Sequence, residues 1–195
     1  MTVSLLVSTY NWPRALYLCL DSVMQQTILP DEILIADDGS GMATRDVVKH
    51  FERISPVPVR HIWHEDRGFR VATIRNKAIA ASTCNYIIQI DGDLILERHF
   101  VQDHILFAKP GCYVSGSRGI ITEALTRQVL SGAITSLSAL TKGVRCSNNV
   151  MRIPFMAIIY RMIAGSKSPR SCNMALWRED AIRVNGYDES FEGWG

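Results

Sequence analysis

Tyr86-Ile87-Ile88-Gln89-Ile90-Asp91-Gly92-Asp93 joins a short apolar run to two carboxylates set either side of a glycine. The run Tyr86 to Ile90 predicts a buried strand that leaves its sheet at Asp91. Carboxylates at i and i+2 can converge on one hard divalent cation, and a cation with open positions is what a diphosphate leaving group requires. A solvated surface turn uses the same residue types, so the neighbouring segments carry the decision.

Those segments repeat one pattern. Val3 to Ser8 predicts a strand, and Asn11 as N-cap with Pro13 in the first turn opens a helix running to about Gln25. Glu32 to Ala36 is a second strand, ending at Asp37-Asp38-Gly39-Ser40 and followed by a helix to about Arg53. Pro58 to Trp63 predicts a third strand and Arg70 to Ala81 a third helix. Short apolar strands without alternating polarity, separated by helices, imply an α/β fold with a mostly parallel sheet covered by helices on both faces. Ligands in such folds bind beyond the carboxyl ends of the strands. Thr9 to Asn11, Asp37 to Ser40, His64 to Arg70 and Asp91 to Asp93 are then expected on one rim.

Beyond the fourth strand, Gly111 to Gly116 predicts another strand and Ile120 to Leu140 a helix. Arg152 to Ile163 contains an apolar run too short, and too interrupted by Arg161, to span a bilayer. Gly165 to Arg170 reads as a flexible loop.

The chain has 195 residues, 47% apolar and 21% charged, ordinary values for one globular domain. A formal net charge of +2 gives no reason to expect nucleic-acid binding. The charge is uneven, however. From Arg118 to Arg178 the single acid is Glu123, against Arg118, Arg127, Lys142, Arg145, Arg152, Arg161, Lys167, Arg170 and Arg178. The five cysteines are widely spaced with no C-x-x-C pair, and are read as reduced, mostly buried thiols. Met1 to Val7 lacks a charged n-region, so the expected location is cytoplasmic.

Val7-Ser8-Thr9-Tyr10-Asn11, Ala36-Asp37-Asp38-Gly39-Ser40, Ile74-Arg75-Asn76-Lys77-Ala78, Asp91-Gly92-Asp93 and Cys172-Asn173-Met174, in this order, resemble family 2 glycosyltransferases. Gly186 to Gly195 continues the likeness. Trp63 to Arg70, Asp103-His104 and Gly116-Ser117-Arg118 are most similar to the branch of bacterial chondroitin polymerase N-terminal catalytic domains. The resemblance covers nearly the whole chain except about Leu125 to Ser168. It implies a single GT-A (Rossmann-like) domain, with residues 1–117 forming the nucleotide-sugar half and 118–195 a partial acceptor half that stops short of completion.

The implied reaction is inverting transfer of a sugar from a nucleotide-diphosphate sugar, with UDP the expected nucleotide. The acceptor would be a saccharide or a lipid-linked saccharide, in bacterial surface polysaccharide synthesis. The resemblance assigns a Mn or Mg divalent cation to Asp93 and Asp91, with Asp91 nearer the ribose or reaching through water. It places Thr9, Tyr10 and Asn11 at the base pocket, Asn11 also being a plain helix cap. Asp38 is favoured over Asp37 for accepting from base or ribose. Arg75 either meets the nucleotide or is a surface arginine paired with Asp37 or Asp38, and Gly68 permits close backbone approach. His99 and His104 are left out of the metal set.

Gly193 and Trp194 resemble the segment that shapes the acceptor site, with the general base expected just after Gly195. This exact chain is accordingly expected to bind the donor with little or no transfer. Peripheral contact with anionic lipid on the inner face of the plasma membrane, through about Arg145 to Arg170, stands beside a plain solvated basic face. The competing function is a non-catalytic nucleotide-sugar-binding module or partner subunit. A nucleotidyltransferase is disfavoured, because Ser8 to Pro13 contains no glycine for a phosphate loop.

Overall fold

A computed structural model describes residues 1–153 and 170–191. The acceptor-side residues Gly193 and Trp194, and most of the apolar run within Arg152 to Ile163, lie outside the described residues. The chain divides into two units, Met1–Val114 with Ser171–Gly195, and Ser115–Arg170.

In the first unit, β1 (Val3–Thr9), β2 (Glu32–Asp37), β3 (Val59–Trp63) and β4 (Tyr86–Asp91) pair in parallel. Between them run α1 (Pro13–Met24), α2 (Met42–Ile54) and α3 (Val71–Ala81). After β4 come α4 (Phe100–Phe107) and β5 (Val114–Ser115), and near the end of the chain β8 (Asn173–Trp177) and α6 (Arg178–Arg183). The sheet order is β3-β2-β1-β4-β8-β5, with β8 antiparallel to β4.

Both faces of the sheet are buried at its central strands, which explains the absence of alternating polarity there. Every residue of β1 and β2 is buried. Leu5 and Val7 pack with Leu16 and Leu20 of α1, Phe51 of α2 and Val101 of α4 on one face. Leu6 and Leu34 pack with Ile74 and Ala78 of α3 and Ala181 of α6 on the other. Full burial of such a side chain contributes about 2 kcal/mol, so these two layers hold the strand ends in place.

Asn11 does not cap α1. It takes a left-handed conformation at φ 45°, its backbone N–H donates to Ser40 Oγ at 2.8 Å, and its Oδ1 accepts from Gly41 N at 3.0 Å. The cap position falls to Trp12, without a side-chain hydrogen bond, and Pro13 opens the helix. Pro13 needs no capping partner because it has no N–H to satisfy.

In the second unit, the helix expected over Ile120 to Leu140 is corrected to a short strand followed by a shorter helix. β6 (Ile120–Ile121) pairs antiparallel with β7 (Val144–Arg145), and α5 (Glu123–Leu130) lies between them in sequence. Thr122 caps α5 by accepting from Leu125 N, and Gly132 at φ 79° follows the helix end. Cap and glycine together enclose about two turns.

Three of the cysteines, Cys19, Cys84 and Cys172, are buried, whereas Cys112 and Cys146 are exposed. Among the described residues no helix is long and apolar enough to cross a membrane.

His104 of α4 is packed against β8. Its Nε2 donates to Asn173 Oδ1 at 3.0 Å, and Nδ1 finds no hydrogen-bond partner among the described residues. Burial pushes its pKa from 6.5 down to about 4, against the opposing pull of Asn173 and Asp103. Between those values the unfolded chain binds a proton that the folded chain refuses, so stability falls as pH drops through that window. The full loss is about 3 kcal/mol, and His104→Gln should flatten it. Urea denaturation of both proteins at pH 7 and pH 4.5 measures the difference; parallel losses would contradict it.

Candidate donor-binding site

The sheet reverses direction of growth at β1. The chain adds β2 and β3 on one side of it, and α3 then carries the chain back to β4 on the other. A crevice opens at such a switch point, beyond the strands' carboxyl ends. Register aligns those ends: Thr9 lies beside Asp37, Asp37 beside Trp63, and Ser8 beside Asp91. Backbone bonds extend the alignment past the strands, with Asp38 N donating to Thr9 O at 3.0 Å and Gly92 N to Ser8 O at 2.7 Å.

The crevice holds about 280 Å³, and Thr9, Tyr10, Asp38, Arg75, Asp91 and Asp93 are all on its wall. Residues 9, 38, 75 and 91, far apart in sequence, are thus brought together. Asn11 and Gly68 are not on that wall. Asn11 instead ties the β1 loop to Ser40 and Gly41 as described above. Gly68 has φ 89° with nothing within 4 Å of where a Cβ would stand, so it serves backbone conformation and not close approach.

The two acids of Asp37-Asp38 do different work. Asp37 is fully buried, accepting from Ser40 N at 2.8 Å and bonding His61 Nε2 at 2.8 Å. Burial alone would raise its pKa, but the His61 and Ser40 hydrogen bonds outweigh it and hold the carboxyl below the usual range. Asp38 faces the crevice, its Oδ1 bonded to His64 Nε2 at 2.6 Å and its Oδ2 accepting from Arg70 N at 2.8 Å.

Arg75 is not a surface arginine and pairs with neither Asp37 nor Asp38. It is buried, donating from Nε to Ser8 Oγ at 3.0 Å and from Nη2 to Asp91 Oδ1 at 2.9 Å. Its guanidinium stands 5.7 Å from the centre of the Tyr187 ring, and Tyr187 Oη donates to Gln89 Oε1 at 2.9 Å. Burial raises the Tyr187 pKa, so the ring presents a neutral face to the cation. The arginine therefore braces Asp91 from behind.

Asp93 is exposed, and its carboxylate has no hydrogen bond or ion pair among the described residues. No group of three or more His, Cys, Asp or Glu residues that could hold a metal occurs among the described residues. His99 bonds Glu97 Oε1 at 2.8 Å and His104 bonds Asn173 Oδ1 at 3.0 Å, and neither is on the crevice wall.

Several crevice residues escaped the sequence reading. Trp12 and Phe69 present exposed rings on the wall that Tyr10 also lines, and Ser171 joins it from the segment just before β8. Tyr10 Oη donates to Asp66 Oδ2 at 2.8 Å, holding the β1 loop to the loop after β3. A signal for β8 existed in the apolar run Met174-Ala175-Leu176-Trp177 ahead of charged Arg178-Glu179-Asp180. Nothing in sequence spacing placed Trp12 or Phe69 on the crevice.

The chain is similar to two characterised relatives, two solved structures and one family model. The chain is 22% identical over 216 aligned residues to a chondroitin synthase of Escherichia coli, covering 99% of this chain and 30% of that protein. It is 27% identical over 214 aligned residues to a validoxylamine A glucosyltransferase of Streptomyces hygroscopicus subsp. limoneus, covering 99% of this chain and 45% of that one. The chain therefore spans less than half the length of these relatives.

Among solved structures, the mannosyltransferase PcManGT of Pyrobaculum calidifontis, in complex with GDP-Man and Mn2+, superposes with a TM-score of 0.65. The identity is 19%, over 96% of this chain and 47% of that one. S. aureus TarS 1–349 in complex with UDP gives a TM-score of 0.58 at 17% identity, over 99% of this chain and 52% of that one. These likenesses establish a GT-A-like α/β fold. The model of the family described as Glycosyl transferase family 2 matches residues 4–182, through the β1 and β2 ends, Arg75, the acidic triplet and β8 alike, and the chain belongs to that family.

Proposed function

We propose that this chain is the donor-binding part of an inverting glycosyltransferase that takes a sugar from a nucleotide-diphosphate sugar, UDP being the expected nucleotide. The acceptor is a saccharide or lipid-linked saccharide of a bacterial surface polysaccharide. The observation that carries the reading is the placement of Asp91 and Asp93 on the wall of a crevice that also holds Asp38 and exposed aromatic rings.

Each residue has a task that its surroundings support. Asp38 accepts from the nucleobase or ribose, and Tyr10 offers an apolar ring face to the base. Thr9 adds polar groups to the same wall. Asp93 and Asp91 fit a divalent Mn or Mg ion, since Asp93 is exposed with a carboxylate free of protein partners among the described residues. Two protein carboxylates leave coordination positions for phosphate oxygens. When bound, the ion supplies neutralisation of the charge that builds on the departing diphosphate. Arg75 orients Asp91 for that task and does not itself need to meet the nucleotide. PcManGT, solved with GDP-Man and Mn2+, and TarS, solved with UDP, share the fold and are consistent with this chemistry.

The acceptor side belongs to the later part of the chain, about 118–195, with Gly193 and Trp194 at the acceptor. Their segment lies outside the described residues. The location we infer is cytoplasmic, with the basic segment from Arg145 the candidate for peripheral contact with anionic lipid.

Thermal-shift measurements with UDP-, GDP- and dTDP-sugars, with and without manganese, test the proposal. A manganese-dependent rise in Tm, largest for a UDP-sugar, is expected. No response to any of the three would overturn it.

A further inference from the structure

His64 is buried and absent from the crevice wall. Its Nε2 stands 2.6 Å from Asp38 Oδ1, and its Nδ1 stands 3.4 Å from Lys77 Nζ. A lysine ammonium only donates, so Nδ1 is the acceptor there and the ring proton sits on Nε2, directed at Asp38. Arg70 N donates to the other Asp38 oxygen at 2.8 Å. Lys77 thus donates to His64 and His64 to Asp38, a relay running from the exposed side of α3 to the crevice wall.

We infer that His64, held in one tautomer by Lys77, is a positioning residue that makes Asp38 a fixed acceptor selecting nucleobases with an imino N–H. This rests on the nucleotide reading above. With a protein donor on each oxygen, the Asp38 carboxylate cannot turn its plane, and its remaining lone pairs meet the crevice at set angles. Uracil offers N3–H to such an acceptor, and guanine N1–H. Cytosine and adenine present a bare ring nitrogen at the corresponding edge, which a carboxylate repels. Refusing a wrong partner through an unmatched polar group discriminates more strongly than shape does. Without His64 the carboxylate could rotate, and the discrimination would relax while the crevice kept its walls.

Calorimetric titration with UDP, GDP and CDP in manganese reads this directly. The wild-type chain is expected to bind the better of UDP and GDP at least about tenfold more tightly than CDP. His64→Ala should cut that ratio about tenfold mainly by weakening the favoured nucleotide, and His64→Gln, whose amide N–H can still donate, should restore most of it. Lys77→Ala, at an exposed position that leaves folding intact, should narrow the ratio about threefold by releasing the tautomer. Equal weakening for all three nucleotides with no rescue by glutamine would mean that His64 merely shapes the loop, and would overturn the inference. Wild-type chain that binds all three alike, or favours CDP, overturns it while leaving the nucleotide reading standing. Binding of none overturns both.

Discussion

Asp93→Ala should abolish the manganese-linked part of UDP-sugar affinity, about a hundredfold, while leaving the fold's stability within about 0.5 kcal/mol. The separation follows from where the side chain stands. Asp93 is exposed, and its carboxylate holds nothing in the protein among the described residues, so its removal costs only what it would hold in the ligand. Asp91→Ala should behave differently. Asp91 pairs with Arg75, whose side chain is only 8% exposed, and deleting the acid leaves that guanidinium buried without its counter-charge. Loss of binding should then come with a stability loss of about 2 kcal/mol. Titration of manganese and UDP-sugar beside urea denaturation of both variants checks the pair. Undiminished manganese-linked affinity in a folded Asp91→Ala, Asp93→Ala double variant would refute the assignment of these acids to the ion.

Gly39→Ala should be the most damaging single substitution in the crevice loops, at about 3 kcal/mol or more, with donor binding lost as well. Gly39 has φ 101°, and an added Cβ would stand 2.5 Å from Asp66 Cα and 2.7 Å from Asp66 N. These are backbone atoms that cannot rotate away. The loop after β3 would have to retreat, taking with it His64 and Arg70, which hold the two oxygens of Asp38. Gly68→Ala is the control, because its φ of 89° carries conformational strain but nothing lies within 4 Å of the new Cβ. It should cost about 1 kcal/mol. Denaturation midpoints and UDP-sugar titrations for the two variants should differ sharply, and similar values would show that the Gly39 contact is not the constraint.

The core strands, the helices between them and the rim of polar loops were legible in the chain because burial on both sheet faces leaves a strong mark. Continuous runs such as Leu5-Leu6-Val7 and Ile33-Leu34-Ile35 have few other places to go. Asp91 and the pair Asp37-Asp38 could be singled out because they follow such runs immediately. Asn11 and the Ile120 to Leu140 segment were misread for a shared reason. Each forms its decisive bonds with residues well away in sequence, Asn11 with Ser40 and Gly41, and Ile120-Ile121 with Val144-Arg145. Local propensity has no view of such partners.

What the order of residues specified is the parallel frame and the composition of its rim, since apolar run length and the placement of Asp, Gly and Asn are local properties. Which rim residues meet, and in what role, came from folding. Arg75 is drawn to Asp91 instead of to Asp37 or Asp38 because β4 pairs beside β1, setting Ser8 next to Asp91. His64 reaches Asp38 only because β3 pairs with β2 in a register that sets Trp63 beside Asp37. Hydrogen bonds act over about 3 Å, and only the packed sheet brings positions 26 or 67 residues apart within that distance.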